Sequence, residues 1–363
     1  MVSRVVATML AVAALAPAGC STDKDPEPSK PTAQASPAPA PPKGGTPDRP
    51  VAIAATTSLM EWRPAPGAVE NTVTTNGTWF LTVEASGNGY RLDGPDQSFG
   101  TGEEGSQITN ALLDAHWAVV VRKDRAGKKP ATAEVTDLAK GEQFTIDQDS
   151  DVPTISGGTW ALGGDTLAHA TAGPDAGYCV ATVDLASRES SIAWCAEAKH
   201  GFNAAHVTEA GTVVLAFDDA KPSCRTVGTV ADDKFDPFPG VPECKAWEGA
   251  ILGDDAAIWS VVPKEDDIDA AEFFARAGDG YYDLGPGTSG TLVPCAGAAY
   301  FVRDPQVVGD PARLLRWDGS SLAIVYEAPP GQSFLEAPRC GDAALVVSVL
   351  SEGGDEQVMA ALE

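Results

Sequence analysis

The sequence predicts an all-β fold made of seven tandem units, and three observations carry that prediction. From about residue 51 onward, short alternating apolar runs are separated by Gly, Asp, Asn and Pro, and helical periodicity is scarce. A turn followed by an apolar strand recurs seven times at a nearly constant interval. Cysteines fall at matching places in successive units.

The recurring element is a Gly or Asp turn leading into an apolar run. It reads Asn76-Gly77-Thr78-Trp79, then Asp114-Ala115-His116-Trp117, then Gly164-Asp165-Thr166-Leu167. It returns at Gly211, Asp255, Gly297 and Asp342. Positions 77, 115, 165, 211, 255, 297 and 342 are separated on average by about 44 residues, the interval of propeller blades with several strands each. A seven-bladed β-propeller of four-stranded antiparallel blades is therefore expected.

Within a blade, the recurring turn joins the first and second strands. The third blade divides into strands over 157–162, 166–172, 178–185 and 190–196. Residues 272–277 and 313–317 read as third strands of the fifth and sixth blades, so the helix-like letters at 268–277 become a loop plus a strand. After residues 343–350, only 357–362 remain for the seventh blade. Propellers that resemble this one close the ring with an outer strand from the other terminus, and residues 58–63 are the candidate. Closure removes exposed strand edges.

Ahead of the repeat lie two segments that do not belong to a core. Residues 5–16 (VVATMLAVAALA) follow Arg4 and would make a helix of about 18 Å, too short to span a bilayer but suited to a secretory signal. The run ends in Ala18-Gly19-Cys20, which resembles the lipobox of bacterial lipoproteins. That resemblance implies cleavage before Cys20, lipid on its sulfur, and an extracytoplasmic face of the cell membrane as the location. Several acyl chains on one residue hold a protein on a membrane, where one chain does not. Residues 21–50 contain nine prolines and little to bury, so they read as an extended tether. The organisation expected is a signal peptide over 1–19, a lipidated Cys20 and tether over 20–50, and a propeller over 51–363.

Seven cysteines less Cys20 leave six: Cys179, Cys195, Cys224, Cys244, Cys295 and Cys340. An even number in an exported chain reads as disulfides. Cys179 and Cys195 fall on the third and fourth strands of one blade, and Cys224 and Cys244 at comparable places in the next. Cys295 and Cys340 each lie two residues before the repeat position, hence on equivalent, neighbouring inner strands. The expected pairs are Cys179–Cys195, Cys224–Cys244 and Cys295–Cys340.

The chain carries 25 Lys and Arg against 51 Asp and Glu, a formal charge of −26, which argues against a nucleic-acid partner. No C-x-x-C or G-x-S-x-G occurs, and Gly285-Pro286-Gly287 lacks the lysine of a phosphate loop. His116 and His169 are assigned to second strands; His200 and His206 flank a loop and are the candidate metal or proton site. Asn76-Gly77-Thr78-Trp79 resembles the end of the Asp-box of sialidase-type propellers without its Asp. The acidic run Glu265-Asp266-Asp267-Ile268-Asp269 reads as a solvated loop whose carboxylates are a candidate for calcium. The basic run from Arg122 to Lys129 lies on the same face, and the pair could orient a partner. Eight tryptophans, about one per blade, are expected to fill gaps between blades. No cofactor, metal or catalytic residue is expected. The reading is a monomeric scaffold that binds a protein, peptide or glycan at the cell envelope, with a carbohydrate-active hydrolase or dehydrogenase sited at the channel mouth as the alternative.

Overall fold

The computed structural model describes residues 44–363 except 174–176, 254, 266, 330, 332 and 363. The expected signal peptide, Cys20 and most of the tether lie outside the described residues. From Thr72 onward the chain builds seven antiparallel sheets in succession, arranged as a β-propeller. The first blade is Thr72–Thr75, Phe80–Val83, Gly89–Asp93 and Ser98–Gly102. The second is Ser106–Leu113, Trp117–Asp124, Thr132–Asp137 and Gln143–Ile146. The third is Trp160–Gly163, Thr166–Ala172, Tyr178–Asp184 and Ser190–Cys195. The fourth is His200–Thr208, Gly211–Asp218, Arg225–Ala231 and Lys234–Pro237.

The fifth blade is Ala246–Leu252, Ala256–Val261, Glu272–Ala277 and Gly280–Pro286. The sixth is Val293–Cys295, Ala298–Arg303, Arg313–Trp317 and Leu322–Glu327. In every blade the recurring turn joins the first two strands. The stretch 268–277 resolves into a short 3-10 turn, Ile268–Ala270, followed by a strand.

The seventh blade is composite. Its inner edge is split into Ser333–Leu335 and Arg339–Cys340, both paired with Ala344–Ser351, which pairs in turn with Glu356–Ala361. Its fourth strand comes from the other end of the chain: Arg63 and Pro64 pair antiparallel with Met359 and Val358. The closing strand thus sits at the end of the expected segment 58–63. The residues before it form a strap around the rim. Gly45 bridges Tyr281, Val51 and Ala52 lie parallel to Tyr282 and Asp283, and Thr56 and Thr57 lie parallel to Ala323 and Ile324.

Burial follows position in the blade. Second strands are covered by neighbouring blades on both faces, so Trp117 to Arg122 and Ala344 to Val349 are buried without a break. Fourth strands left uncovered face solvent, as in Lys234–Pro237, whereas those of the fifth and sixth blades lie under the N-terminal segment and are partly buried. Six apolar clusters fill the successive gaps from the first blade to the seventh. Between the fifth and sixth, Phe273 and Phe301 stack with centroids 4.2 Å apart. Trp79, Trp117, Trp160, Trp259 and Trp317 are buried in these gaps, while Trp62, Trp194 and Trp247 are partly exposed.

The seam between the seventh and first blades is polar. Arg339 Nε donates to the Val73 carbonyl at 2.8 Å, and its Nη2 donates to Gln357 Oε1 at 2.9 Å. Gln357 Nε2 donates to the carbonyls of Val69, at 2.8 Å, and Asn71. Gly341 lies so close to Thr75 that a β-carbon would fall 2.1 Å from the Thr75 carbonyl oxygen.

All three disulfides form as expected. Cys179 and Cys195 are directly cross-strand, with Cα atoms 3.9 Å apart. Cys295 and Cys340 join the inner strands of the sixth and seventh blades over 5.8 Å. Cys224 and Cys244 differ in placement from their counterparts in the third blade. They lie in loops, one just before the third strand of the fourth blade and one before the fifth blade, with Cα atoms 4.1 Å apart.

The basic run is partly structural. Arg122 is buried and donates to the Asn88 and Thr101 carbonyls at 2.9 and 3.0 Å, and Arg125 Nη2 donates to the Ser86 carbonyl at 3.2 Å and to Asn88 Oδ1 at 2.5 Å. These two guanidiniums fasten the second blade to the first and are not free to orient a partner.

The Cys295–Cys340 link closes a 45-residue separation. In the chain-entropy treatment a loop of that size stabilises by about 4 kcal/mol. Replacing both cysteines by serine is expected to lower the unfolding free energy in urea by about 3–4 kcal/mol, with the slope read for changes in the unfolded state. A loss below about 1 kcal/mol would show that the link adds nothing to the closed ring.

Candidate functional site

First strands of all seven blades surround a central channel, and its mouth on the face of the first turns encloses about 520 Å³. Most of the lining is small or apolar: Ala111, Leu113, Ala161, Gly163, Val207 and Pro294 are typical. Four ionisable side chains also line it: Asp114, His206, Arg339 and Asp342. Arg339 is committed to the seam. Asp114 Oδ1 accepts the N–H groups of His116 and Trp117, both at 2.8 Å, while its Oδ2 is buried without a partner among the described residues. Burial raises the Asp114 carboxyl above the usual range.

The histidines are separated by the fold. His116 is exposed in a turn just before its strand. His169 is buried, stacks on Trp160 with centroids 4.9 Å apart, and places Nδ1 3.0 Å from the Ala170 carbonyl. His200 and His206 do not flank a loop; both lie on the first strand of the fourth blade, His200–Thr208. At about 3.3 Å per residue they sit roughly 20 Å apart along it. A bulge between Asn203 and His206, with Ala204 at φ 49°, interrupts the pairing without ending the strand. The pair therefore makes no joint site. His206 faces the channel, and burial pushes its imidazole down to about 4.

A second concavity lies toward the opposite face, where second strands pass to third strands. Hollows of about 470 and 840 Å³ share Ser223, Arg225 and Glu265. Arg225 opens the third strand of the fourth blade and is only 6 % exposed. Its guanidinium lies over Trp247 of the fifth blade, 4.6 Å from the ring centroid. Glu265 Oε1 approaches Nη1 at 3.5 Å. Arg225 Nε has no hydrogen-bond partner among the described residues. The Cys224–Cys244 bond lines the larger hollow and ties down the loop that presents Arg225.

Glu248 also lines the smaller hollow, but its carboxylate is occupied. It accepts N–H bonds from Gly290 at 2.9 Å and Leu292 at 3.0 Å and an O–H bond from Ser260 at 3.1 Å. These bonds latch the lead-in of the sixth blade onto the fifth. Burial raises the Glu248 carboxyl, and the three donors oppose that shift.

Of the acidic run, Glu265 turns toward Arg225 and the Ser223 N–H; Asp266 lies outside the described residues. Among the described residues no group of three metal-ligating side chains assembles. Arg225, Trp247 and Glu248 were not singled out in the sequence. The available signal was slight: Arg225 is the only arginine between Arg188 and Arg276, and it adjoins a cysteine.

Comparison with known proteins returns the fold alone. The sequence matches no family model and no curated protein. The propeller domain of the Trilobed protease from Pyrococcus furiosus, described as having an open velcro topology, superposes with a TM-score of 0.51 at 12 % identity, covering 84 % of this chain and 97 % of that one. An oligogalacturonate lyase from Vibrio parahaemolyticus gives 0.52 at 11 % identity, covering 85 % and 99 %. A chain of the mitotic checkpoint complex gives 0.50 at 8 % identity, covering 86 % and 98 %. The class defined by these likenesses and by the blade count is the seven-bladed β-propeller.

Because the folded His206 titrates near 4 and not near its ordinary 6.5, the unfolded chain binds the extra proton between those values. Its contribution to stability is complete above about pH 6.5 and is lost as the pH falls toward 4. The drop in melting temperature from pH 7 to pH 4.5 is expected to be smaller in His206→Gln than in the wild type. Equal drops would remove His206 from the acid sensitivity.

Proposed function

We propose that this protein is a lipid-anchored, extracytoplasmic propeller that works by binding a ligand on the face of its fourth and fifth blades. The observation that carries the reading is the cysteine arrangement. All six cysteines after Cys20 pair within the propeller, and Cys20 is the one left for lipid. Three disulfides suit an oxidising compartment, in agreement with an apolar signal run ending at a lipobox-like cysteine.

Binding in place of catalysis is supported by the chemistry of the two concavities. The channel mouth presents mainly small apolar side chains, and its Arg339 is held in the seam. The groove presents a buried cation, an aromatic ring and apolar walls, which recognise more readily than they transform. A carbohydrate-active enzyme would draw on Asp114 and His206 at the channel, and the likeness to an oligogalacturonate lyase, being one of fold, lends no substrate.

Expression of the full chain in a bacterial host with lipoprotein processing tests the anchor. The wild type is expected in the membrane fraction, with an N-terminal peptide starting at acylated Cys20. Cys20→Ser is expected to leave the membrane fraction. A wild-type chain that is soluble, or a serine variant that stays on the membrane, would overturn the assignment.

A further inference from the structure

The Arg225 groove carries an inference about what is bound, and it rests on the binding reading above. A guanidinium has five N–H donors in a planar fork, and burying it without partners is costly. Arg225 is 94 % buried by area, yet among the described residues its Nε has no partner and the carboxylate paired with it, Glu265, stands at 3.5 Å. That neighbour, Glu265, sits on a loop with half of its side chain in solvent. The Trp247 ring under the guanidinium and the Cys224–Cys244 bond beside it hold the fork in place. A buried fork with an unspent donor, lining two hollows, is suited to take a planar acceptor edge-on once Glu265 moves aside.

Local charge and surroundings narrow the acceptor. Although the whole chain is strongly acidic, the larger hollow sets Arg225, Lys245 and Lys264 against Glu243 and Glu265. Among the described residues that line it, one positive charge is in excess, which suits a monoanion. A phosphate dianion would exceed it. The smaller hollow continues from the fork past Leu215, Phe217 and Leu292, with Asn203, His206 and the already occupied Glu248 on its other walls, so the acceptor has a body with an apolar side beyond the fork. We propose that the groove between the fourth and fifth blades binds an aromatic or similarly flat monocarboxylate. Its carboxylate displaces Glu265 from the Arg225 fork, and its body lies toward Phe217 and Leu292.

A free small acid and the carboxyl end of a peptide share this chemistry, so the titration uses both. Benzoate, N-acetylphenylalanine, neutral benzamide and inorganic phosphate are titrated calorimetrically into the full chain. At least one of the two carboxylates is expected to bind ten times more tightly than benzamide and more tightly than phosphate. The tighter of the two identifies the source. Arg225→Gln is expected to weaken that binding at least tenfold, and Glu265→Gln to strengthen it severalfold by removing the resident competitor. The site falls if neither carboxylate outbinds benzamide, if phosphate binds best, or if a folded Arg225→Gln binds undiminished. Should Arg225→Gln fail to fold, the exposed Glu265→Gln decides, and unchanged or weaker binding overturns the proposal. A chain that fractionates with the membrane yet ignores these probes would lose the site and keep its anchor.

Discussion

Closure of the ring is the constraint on which the rest of this structure depends. Six of the gaps between blades are filled by apolar side chains, which bring them together with no need of direction. The seventh gap, between the ends of the repeat, is spanned by Arg339 and Gln357 bonding to backbone across the seam. Such bonds stabilise only in one geometry. The geometry is held from outside: Arg63 and Pro64 complete the last blade, and the strap before them is bonded to the rims of the fifth and sixth. The join is distant in sequence, so its loop-closure entropy must be offset by many small contacts made together. Trp62 adds one, its indole N–H donating to the Val325 carbonyl at 2.8 Å while its ring packs edge-on to Tyr326.

Both concavities are products of that closure. The channel exists because seven first strands are kept from collapsing inward, and the second groove lies where the fifth blade meets the fourth. Glu248 shows how tightly the spacing is set there. Its carboxylate accepts two backbone N–H groups from the lead-in to the sixth blade, so three successive blades are registered around the Arg225 hollow.

The blade count was legible because it is written in turns. Gly77, Gly211 and Gly297 adopt positive φ, and Asp342 does so at 73°, so in four of the seven copies the residue that marks the repeat sits where the backbone favours glycine. The disulfides were legible because Cys295 and Cys340 occupy one place in two copies of a repeat. The strap was not legible beyond its closing strand, because residues 45–57 hold the rim mainly through short backbone pairings that leave no repeating side-chain pattern. The histidine pair was misplaced because residues 203–205 look like a loop, whereas a single left-handed residue, Ala204, absorbs the irregularity as a bulge. The groove was invisible for another reason. Arg225, Trp247 and Glu265 come from three separate segments, and nothing in their spacing announces that they meet.

The path of the strap decides how the fold bears load. A pull on the chain ahead of Gly45 reaches the short pairing with the fifth blade first and the sixth blade next, and only then the strand that seals the ring. Each of these pairings is only a few backbone bonds long and peels one after another. The rim therefore yields first, paying out slack before the strand that seals the ring is loaded.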